Sequence, residues 1–273
     1  MQTLILEAGG TQRHYWKELW TYRDLFYLLA WRDITVRYKQ TVIGICWVLI
    51  RPAVTMVVFT LVFRHIAGLR SAPGVPYPLL VLCGMLPWQF ISSAMSEASM
   101  SVVVNSQMLS KIYFPRLIVP TSATISAFLD FAISCGFSVF VFVWYHMMPT
   151  WHVLLLPVFI TLSFAIALGI GVGLATLNVK YRDFRYIIPF IIQFGIYVSP
   201  VGYASSVVDE QWRALYSLNP LVGIIDGFRW CCLPQGAALH LQEVIISFIW
   251  CVALLGFGIK LFRQNERNFI DII

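Results

Sequence analysis

The chain has 273 residues, of which 59% are hydrophobic and only 12% are charged, and its mean hydropathy is +0.76. A water-soluble fold of this length cannot bury so large an apolar fraction, which excludes a soluble enzyme, a nucleic-acid-binding domain and a disordered chain. The composition predicts an all-α, polytopic membrane protein with a single transmembrane domain over residues 1–273. The net charge of +6 then reports on orientation rather than on a nucleic-acid partner.

The first predicted element is an amphipathic helix over residues 11–40. Apolar residues recur there at helical spacing, but the segment carries too many charges to cross a bilayer. A helix with Trp on one side and Arg or Lys on the other is typical of the membrane interface. We therefore expect a helix lying flat on the membrane, and the alternative is a soluble helix packed on a partner. We expect no cleaved signal peptide, because these first residues are polar and aromatic.

Six apolar stretches follow that are long enough to be considered as membrane spans. The first, 41–63, contains Arg51-Pro52, which predicts a kink and an Arg side chain that snorkels or faces a polar cavity. Between the last two spans, the apolar pieces of 199–243 are too short to cross and predict short periplasmic helices, either re-entrant or forming a gate. The remaining spans are 78–104, 117–145, 153–177, 186–198 and 244–262.

The basic residues alternate between the two sides of this arrangement. Of the 19 Lys and Arg residues, fourteen precede the first span or follow the second, fourth or sixth, four lie on the opposite side, and Arg51 lies within a span. Basic residues collect in cytoplasmic loops of membrane proteins. The partition therefore predicts that both termini are cytoplasmic, and it supports an even number of spans.

Motifs of enzymes are absent from the sequence. There is no GxxxxGK[ST] phosphate loop, HExxH, GxSxG or CxxC. Glu97 and Asp130 are isolated acids within spans, and each is expected to pair with another span or to lie near the interface. The six cysteines lack metal or redox spacing and are expected to be apolar filler.

A stripe of small residues marks the fourth span. Ala165, Gly169 and Gly173 lie four residues apart, which places them on one helical face. Such stripes let helices approach closely in lipid. We expect packing within the chain, with a dimer seam as the alternative.

Two further features suggest contacts with other molecules. The polar and basic loop 105–116 could dock on a cytoplasmic partner, although an ordinary basic loop is the alternative. Aromatic residues make up 15% of the chain, and many belong to interface belts. Aromatic rings also stack on sugar rings, so an aromatic conduit would suit a polysaccharide. The candidates for lining such a conduit, each with lipid contact as an equal alternative, are Trp47, Phe59, Phe63, Trp88, Phe194 and Tyr197.

A series of short motifs carries a family resemblance along nearly the whole chain. The N-terminal run contains Arg23-Asp24, Arg32-Asp33, Arg37-Tyr38-Lys39, Gly44, Trp47 and Pro52. Further motifs follow in order: Leu86-Pro87-Trp88, Asn105, Lys111, Phe114-Pro115-Arg116, Asn178, Tyr181-Arg182-Asp183, Ser199-Pro200, Asn219-Pro220 and Arg229. In this order and spacing the chain resembles the type-2 ATP-binding-cassette permeases that export polysaccharides. The O-antigen exporters are most similar, and capsule and teichoic acid permeases are near relatives. Arg51 lies outside the family pattern.

The resemblance implies a half-transporter of the bacterial inner membrane. Two copies would form the channel and two cytoplasmic ATPase subunits would bind ATP and Mg, so this chain itself would hold no cofactor or metal and catalyse nothing. The implied cargo is an undecaprenyl-diphosphate-linked glycan, and 199–243 would be the outer gate. Guanidinium groups bind phosphate well. Residues implied to contact the lipid diphosphate are Arg32, Arg37 and Lys39. Arg51, outside the family pattern, is expected to face the channel and to meet either the diphosphate or the sugars. Residues implied to seat in the ATPase are Asn105, Leu109, Lys111, Phe114 and Arg116.

Two rival functions remain at the level of the sequence. A small-molecule exporter would share the fold without a wide aromatic conduit. An integral membrane enzyme acting on lipid-linked sugars would need a polar catalytic cluster at one membrane interface.

Overall fold

The structure is a computed structural model that describes residues 15–39, 44–233 and 239–269, and the regular structure of these residues is entirely helical. The parts of the predicted elements at 11–14, 40–43 and 234–238 lie outside the described residues. The helices are α1 (Tyr15–Thr21), α2 (Arg23–Lys39), α3 (Gly44–Phe59), α4 (Tyr77–Val104), α5 (Ser106–Lys111), α6 (Ile118–Trp144), α7 (Leu156–Lys180), α8 (Phe184–Val198), α9 (Glu210–Ser217), α10 (Pro220–Cys232) and α11 (Leu241–Asn265).

Among the described residues, five helices are long and apolar enough to cross a membrane. They are α4, α6, α11, α3 with a π-helical extension (Thr60–Ile66), and α7 with a preceding 3-10 turn (Trp151–Leu155). The predicted fifth span, 186–198, corresponds to α8, which is apolar but has only 15 residues. At 1.5 Å per residue α8 reaches about 22 Å, which is shorter than the roughly 30 Å of a hydrocarbon core.

The centre of the molecule is held by close contact between helix backbones. A Cβ atom added to Gly169 of α7 would lie 2.6 Å from the backbone nitrogen of Leu255 in α11, and one added to Gly258 would lie 2.1 Å from the Gly169 oxygen. On another face of α7, a Cβ on Gly171 would lie 2.7 Å from Ala98 in α4. The small-residue stripe therefore packs within the chain, as predicted, because only small residues permit this approach.

These contacts also fix the relative directions of the helices. Phe164 of α7 stacks on Phe90 of α4 with ring centres 6.1 Å apart, and one to two turns further along both helices Gly171 meets Ala98. Later residues of α7 also meet later residues of α11, so α4, α7 and α11 run parallel. The helix α6 runs the other way: its first residues cluster with Val102 and its last turns cluster with the first turns of α4.

Both described ends of the chain lie at the same end of this bundle. The Tyr15 hydroxyl donates a hydrogen bond to Oε2 of Glu266 at 3.0 Å, and the Arg263 guanidinium lies 4.6 Å from the centre of the Tyr15 ring. Burial and the Glu266 carboxylate raise the pKa of Tyr15, which keeps the phenol neutral as a donor. Phe262 and Phe269 pack into the same cluster. An even number of crossings is required to bring these ends together.

The predicted N-terminal helix corresponds to α1 and α2, which are separated only at Tyr22. Helical hydrogen bonds continue across this residue, from the Tyr22 amide to the Glu18 oxygen at 3.0 Å and from the Phe26 amide to the Tyr22 oxygen at 3.1 Å. α2 lies against α6 and buries Leu29 and Ala30. The opposite surface of the pair is rich in exposed aromatic residues, which include Trp16, Trp20, Tyr27 and Trp31.

The helix α3 continues through Pro52 rather than ending there. Its geometry changes only after Phe59, where the π-helical turns begin. Within these turns Phe63 packs so tightly on Gly202 that an added Cβ would lie 2.4 Å from its ring. The helix is therefore unbroken at Arg51-Pro52, and its change of geometry lies about two turns further along the span.

The stretch predicted as 199–243 contains two short helices, α9 and α10. Arg229 of α10 is 2% exposed and donates hydrogen bonds to the carbonyl oxygens of Leu80 at 3.3 Å and Pro200 at 2.5 Å, and to the Asp226 carboxylate at 3.3 Å. A Cβ on Gly223 would lie 2.4 Å from the Glu243 oxygen. Because Leu80 and Glu243 belong to the first turns of α4 and α11, α10 is buried at the end of the bundle opposite to the chain ends.

Candidate functional site

A cluster of charged side chains joins the end of α2 to the middle of the bundle. The Nη2 atom of Arg37 lies 2.6 Å from Oε2 of Glu97 in α4, and Nη1 lies 2.5 Å from Oδ2 of Asp130 in α6. The Tyr38 hydroxyl donates to the other oxygen of Asp130. The two acids expected to be isolated therefore share one guanidinium. Each acid pairs with the N-terminal helix α2 rather than with another span, which corrects that part of the expectation.

The carboxylates border a polar cavity of about 730 Å³ that lies between α3, α4 and α6. Such a volume falls in the range of ligand-binding pockets. The cavity extends over the middle and the chain-end half of α4, from Leu86 to Glu97. Its lining combines charged, amide, hydroxyl and aromatic groups: Arg37, Trp47, Val48, Arg51, Pro52, Leu86, Gln89, Phe90, Ser92, Ser93, Glu97, Ala127, Asp130, Phe131 and Ser134.

Arg51 is a lining residue of this cavity. Its guanidinium makes no hydrogen bond or ion pair within residues 15–39, 44–233 and 239–269, whereas Arg37 a short distance away contacts two carboxylates. Of the two expectations for Arg51, snorkelling or facing a polar cavity, its position in this lining favours the second. An unpaired guanidinium at membrane depth is costly unless water or a ligand reaches it, and the cavity provides that access.

The other two cations predicted to contact a diphosphate lie on α2 outside the cavity. Arg32 donates to Oδ1 of Asp33 at 2.8 Å and to Oδ1 of Asn105 at 2.9 Å, and it remains exposed. Lys39 is exposed at the end of the helix. Arg32 therefore connects the N-terminal helix to the residue that begins the loop 105–116, a contact that no sequence motif predicts.

The loop 105–116 folds into the short helix α5 and a return segment. Leu109 and Phe114 are 5% and 3% exposed and belong to the cluster at the chain ends of the bundle. They stabilise the chain itself, so their expected role as contacts to a partner is corrected. The side chains presented outward are Lys111, Ile112 and Tyr113, the last two being 56% and 62% exposed. A small pocket of about 200 Å³ lies among the residues 109–116, including Arg116.

The six aromatic candidates for a conduit separate into two groups. Trp47, Phe194 and Tyr197 are exposed, and Trp47 also borders the cavity. Phe59 and Phe63 are half-buried, contact each other edge to face and pack against the cluster of Trp88, which is 7% exposed and lies against Gly195. Trp88 is therefore a helix-packing residue between α4 and α8 in this chain, and its expected conduit role is corrected.

Several residues that carried the resemblance in the second half hold one structural network. Asn219 caps α10 by accepting from the Leu221 amide at 3.0 Å, and its side-chain amide donates to the Ser199 hydroxyl at 3.2 Å. Arg229 donates to the oxygen of the adjacent Pro200. At the other end of the bundle, Asn178 donates to the Ser99 oxygen at 2.9 Å. Asn219 and Arg229 thus order the loops around α10, whereas Asn178 joins α7 to α4.

The model of the ABC-2 type transporter family matches residues 24–233, which include the charged cluster, the cavity and α5. The chain belongs to the ABC-2 type transporter family. It is therefore a membrane protein with a transport role, and the family assignment disfavours the rival interpretation as a membrane enzyme. The resemblance seen in the motifs is confirmed.

Curated relatives match this ABC-2 transporter chain over almost its full length. It is 29% identical over 264 residues to the O-antigen export system permease protein RfbA of Myxococcus xanthus, which covers 94% of this chain and 98% of that protein. It is 26% identical over 256 residues to the protein of the same name from Klebsiella pneumoniae, covering 92% and 95%. The polysialic acid transport protein KpsM of Escherichia coli is 22% identical over 248 residues, covering 88% and 92%.

Proposed function

We propose that the chain is the membrane-spanning subunit of an ATP-driven exporter of lipid-linked polysaccharide, with O-antigen as the cargo. The observation that carries this proposal is the end-to-end similarity to an O-antigen export permease, over 94% of this chain. The polar cavity within the membrane region supports it, because a transported glycan needs polar surroundings there. Capsule polysaccharide or teichoic acid is the alternative cargo, and the similarity to a polysialic acid transport protein favours the former of these two.

The proposed topology has six crossings in the bacterial inner membrane with both termini in the cytoplasm. The parallel directions of α7 and α11 support it, since the chain has to return across the membrane between them. α8 begins four residues after α7 ends, and Pro200, two residues after α8, lies beside Leu80 in the first turn of α4. The short helix α8 is therefore the return crossing. The excess of Lys and Arg at the chain ends of the bundle supports the cytoplasmic assignment.

The ends of the molecule have distinct proposed roles. The exposed aromatic residues of α1 and α2 support a position flat in the cytoplasmic interface, where Trp and Tyr are favoured. The burial of α10 among the first turns of α4, α7 and α11 supports a re-entrant helix in the outer leaflet. Together with α9 it forms the proposed outer gate.

The proposed assembly contains two copies of the chain and two ATPase subunits that bind ATP and Mg. The helix α8 supports a contact between copies, because Phe190, Phe194 and Tyr197 are exposed along its length. The outward side chains of the loop 105–116, Lys111, Ile112 and Tyr113, support its docking on the ATPase. Asn105 has a different proposed role: through Arg32 it passes movement of this loop to α2.

Fewer residues are proposed to contact the diphosphate than the sequence predicts. Arg32 and Lys39 are exposed cations at the level of lipid headgroups, where a lipid diphosphate would lie. Arg37 is engaged by Glu97 and Asp130, so its proposed role is to hold α2 in place. Arg51 lies inside the cavity rather than on the interfacial surface.

Deletion of the gene for this chain in its native bacterium tests the proposal. Surface glycan is measured by immunoblotting, and lipid-linked glycan is measured inside the cell. We expect loss of surface glycan and internal accumulation, both reversed by the wild-type chain. Unchanged surface glycan would contradict the proposal. Turnover of a lipid-linked sugar by the purified chain in vesicles would instead establish the enzyme interpretation. A complementing Arg32→Ala/Lys39→Ala variant with normal export would contradict the diphosphate contacts.

A further inference from the structure

The charges around the cavity are balanced. Arg37 and Arg51 contribute two positive charges, and Glu97 and Asp130 contribute two negative charges. A diphosphate placed here would gain the unpaired guanidinium of Arg51 but would lie beside two carboxylates. Like charges at such distances repel strongly where the dielectric constant is low. The cavity is therefore poorly suited to a strongly anionic group, although its guanidinium groups would suggest one at first sight.

The uncharged lining favours a ligand with many hydroxyl groups. Gln89 and Ser93 supply side chains that both donate and accept hydrogen bonds. The hydroxyls of Ser92 and Ser134 donate to the carbonyl oxygens of Gln89 and Asp130, and they offer a ligand acceptor oxygens. Carboxylate oxygens accept strongly from hydroxyls, and the free guanidinium of Arg51 donates to ring and hydroxyl oxygens. This mixture of acceptors and donors without net charge matches the surface of a neutral sugar.

An aromatic face completes the site. Trp47 lies on α3 one turn before Arg51, and both border the cavity. Trp47 is 57% exposed, so its large apolar side chain is accessible to a ligand. Sugar rings carry C–H groups on one face that pack on such a ring while their hydroxyl groups reach polar atoms around it.

We propose that the cavity between α3, α4 and α6 is a carbohydrate-binding subsite that holds a neutral sugar unit of the transported glycan, with Trp47 as the stacking face and Arg51, Gln89 and Glu97 as hydrogen-bonding groups. This rests on the proposed function as an exporter of lipid-linked glycan. The subsite lies within one copy of the chain, so it is formed before any contact between copies is made.

The position of the subsite identifies which sugar it holds. Arg37 borders the cavity and lies on the helix whose exposed cations Arg32 and Lys39 are the proposed diphosphate contacts. In a lipid-linked glycan the first sugar is bonded directly to the diphosphate. A diphosphate at α2 therefore places that first sugar at the mouth of the cavity, and the subsite binds the sugar at the lipid-linked end.

Site-specific photo-crosslinking in cells that contain the complete transporter tests this placement. A p-benzoylphenylalanine residue replaces Trp47, where one aromatic group is exchanged for another. The matched control places it at Ile50, which lies at nearly the same depth of α3, is 40% exposed and does not line the cavity. Cells are labelled with ³²P-phosphate, and the adduct is stained for carbohydrate by periodate oxidation. Mild acid then cleaves the bond between the first sugar and its phosphate.

The expected result is an adduct at position 47, at least fivefold stronger than at position 50, that keeps its carbohydrate stain and loses ³²P after acid treatment. An adduct that keeps ³²P and loses carbohydrate would mean that the diphosphate occupies the cavity, and would overturn the proposal. Equal carbohydrate capture at both positions, or no capture at position 47 while export proceeds, would also overturn it.

Export by lining variants separates this proposal from the proposed function. Gln89→Leu should lower export about tenfold, as expected when a bound polar ligand loses one hydrogen-bonding partner. Gln264→Leu, which changes an exposed amide on α11 outside the lining, should export normally. Membrane levels of each variant are compared by immunoblotting. If deletion of the chain abolishes export but Gln89→Leu exports like wild type, the subsite proposal fails while the exporter function stands.

Discussion

Two consecutive membrane helices, α3 and α4, differ sharply in how the chain surrounds them. The apolar stretch of α3 and its extension has a mean hydropathy of 2.0, yet only 6% of it is buried within the chain. The corresponding stretch of α4 is less hydrophobic, at 1.4, and 78% of it is buried. In water the more apolar helix would be the more buried one.

The less hydrophobic helix is the more buried one because these helices are surrounded by lipid rather than by water. Lipid tails are as apolar as Leu, so burial of a membrane helix is driven by close packing and polar contacts rather than by hydropathy. α4 carries Ser99 and Ala98 at its contacts with α7, whereas α3 exposes Val54 and Val57. α4 is consequently a fixed part of the bundle, and α3 is a loosely held wall of the cavity.

The largest expected effect tests whether the bundle depends on backbone contact. Gly258→Val places a side chain where the Gly169 oxygen is 2.1 Å from the Cβ position, and neither backbone can yield. We expect a loss of at least about 3 kcal/mol, the upper end of overpacking costs, or no folded protein. Gly256→Val on the same helix has open space around it and should retain near wild-type stability. Thermal unfolding in detergent measures both.

The next prediction concerns the attachment of α10 to the bundle. Arg229→Met should cost about 3–5 kcal/mol, because it leaves the Asp226 carboxylate buried without its partner. The double variant with Asp226→Leu should recover part of that loss. Protease resistance of the purified chain measures the ranking, and equal damage by the single and double variants would show that the hydrogen bonds to Leu80 and Pro200 dominate instead.

Truncation of one apolar side chain on each helix compares α3 and α4 directly. Leu82→Ala in α4 removes a fully buried side chain and should cost about 2–5 kcal/mol. Val54→Ala in α3 removes a side chain that is 54% exposed and should change stability by less than about 0.5 kcal/mol. Unfolding midpoints in detergent are the measurement. Similar losses for both would mean that α3 is held in place far more firmly than its exposure indicates.

The smallest expected effect concerns the polar contacts that hold α2 on α4 and α6. Asp130→Asn weakens its contacts with both Arg37 and Tyr38, whereas Glu97→Gln weakens only a contact with Arg37. We expect faster amide hydrogen exchange in α2 for both variants, with the Asp130 variant about tenfold faster and the Glu97 variant less affected. An unchanged exchange rate in both would show that apolar packing of Leu29 alone holds α2 on the bundle.

Local sequence patterns predict much of the fold. Five of six predicted spans coincide with long apolar helices, and the stripe of Gly169 and Gly173 packs inside the chain as expected. The residues of the site were harder to predict from the sequence. Leu109 and Phe114 lie in a motif expected to dock on a partner, but both are buried in the chain. Trp88 is of the residue type expected in a conduit, but it is covered by α8. Burial of a given residue depends on segments far away in the chain, which a local pattern does not contain.

The sequence by itself determined that this is a helical membrane protein and to which family it belongs. It could do so because hydropathy, charge alternation and ordered motifs are properties of residues that are close together in the chain. Only the tertiary structure decided that Arg37 of the N-terminal helix is shared by Glu97 and Asp130, and that Arg51 is left facing a cavity beside them. These residues are separated by up to 93 positions along the chain. Their proximity arises from the way α2, α3, α4 and α6 pack, and this packing turns scattered charges into a site.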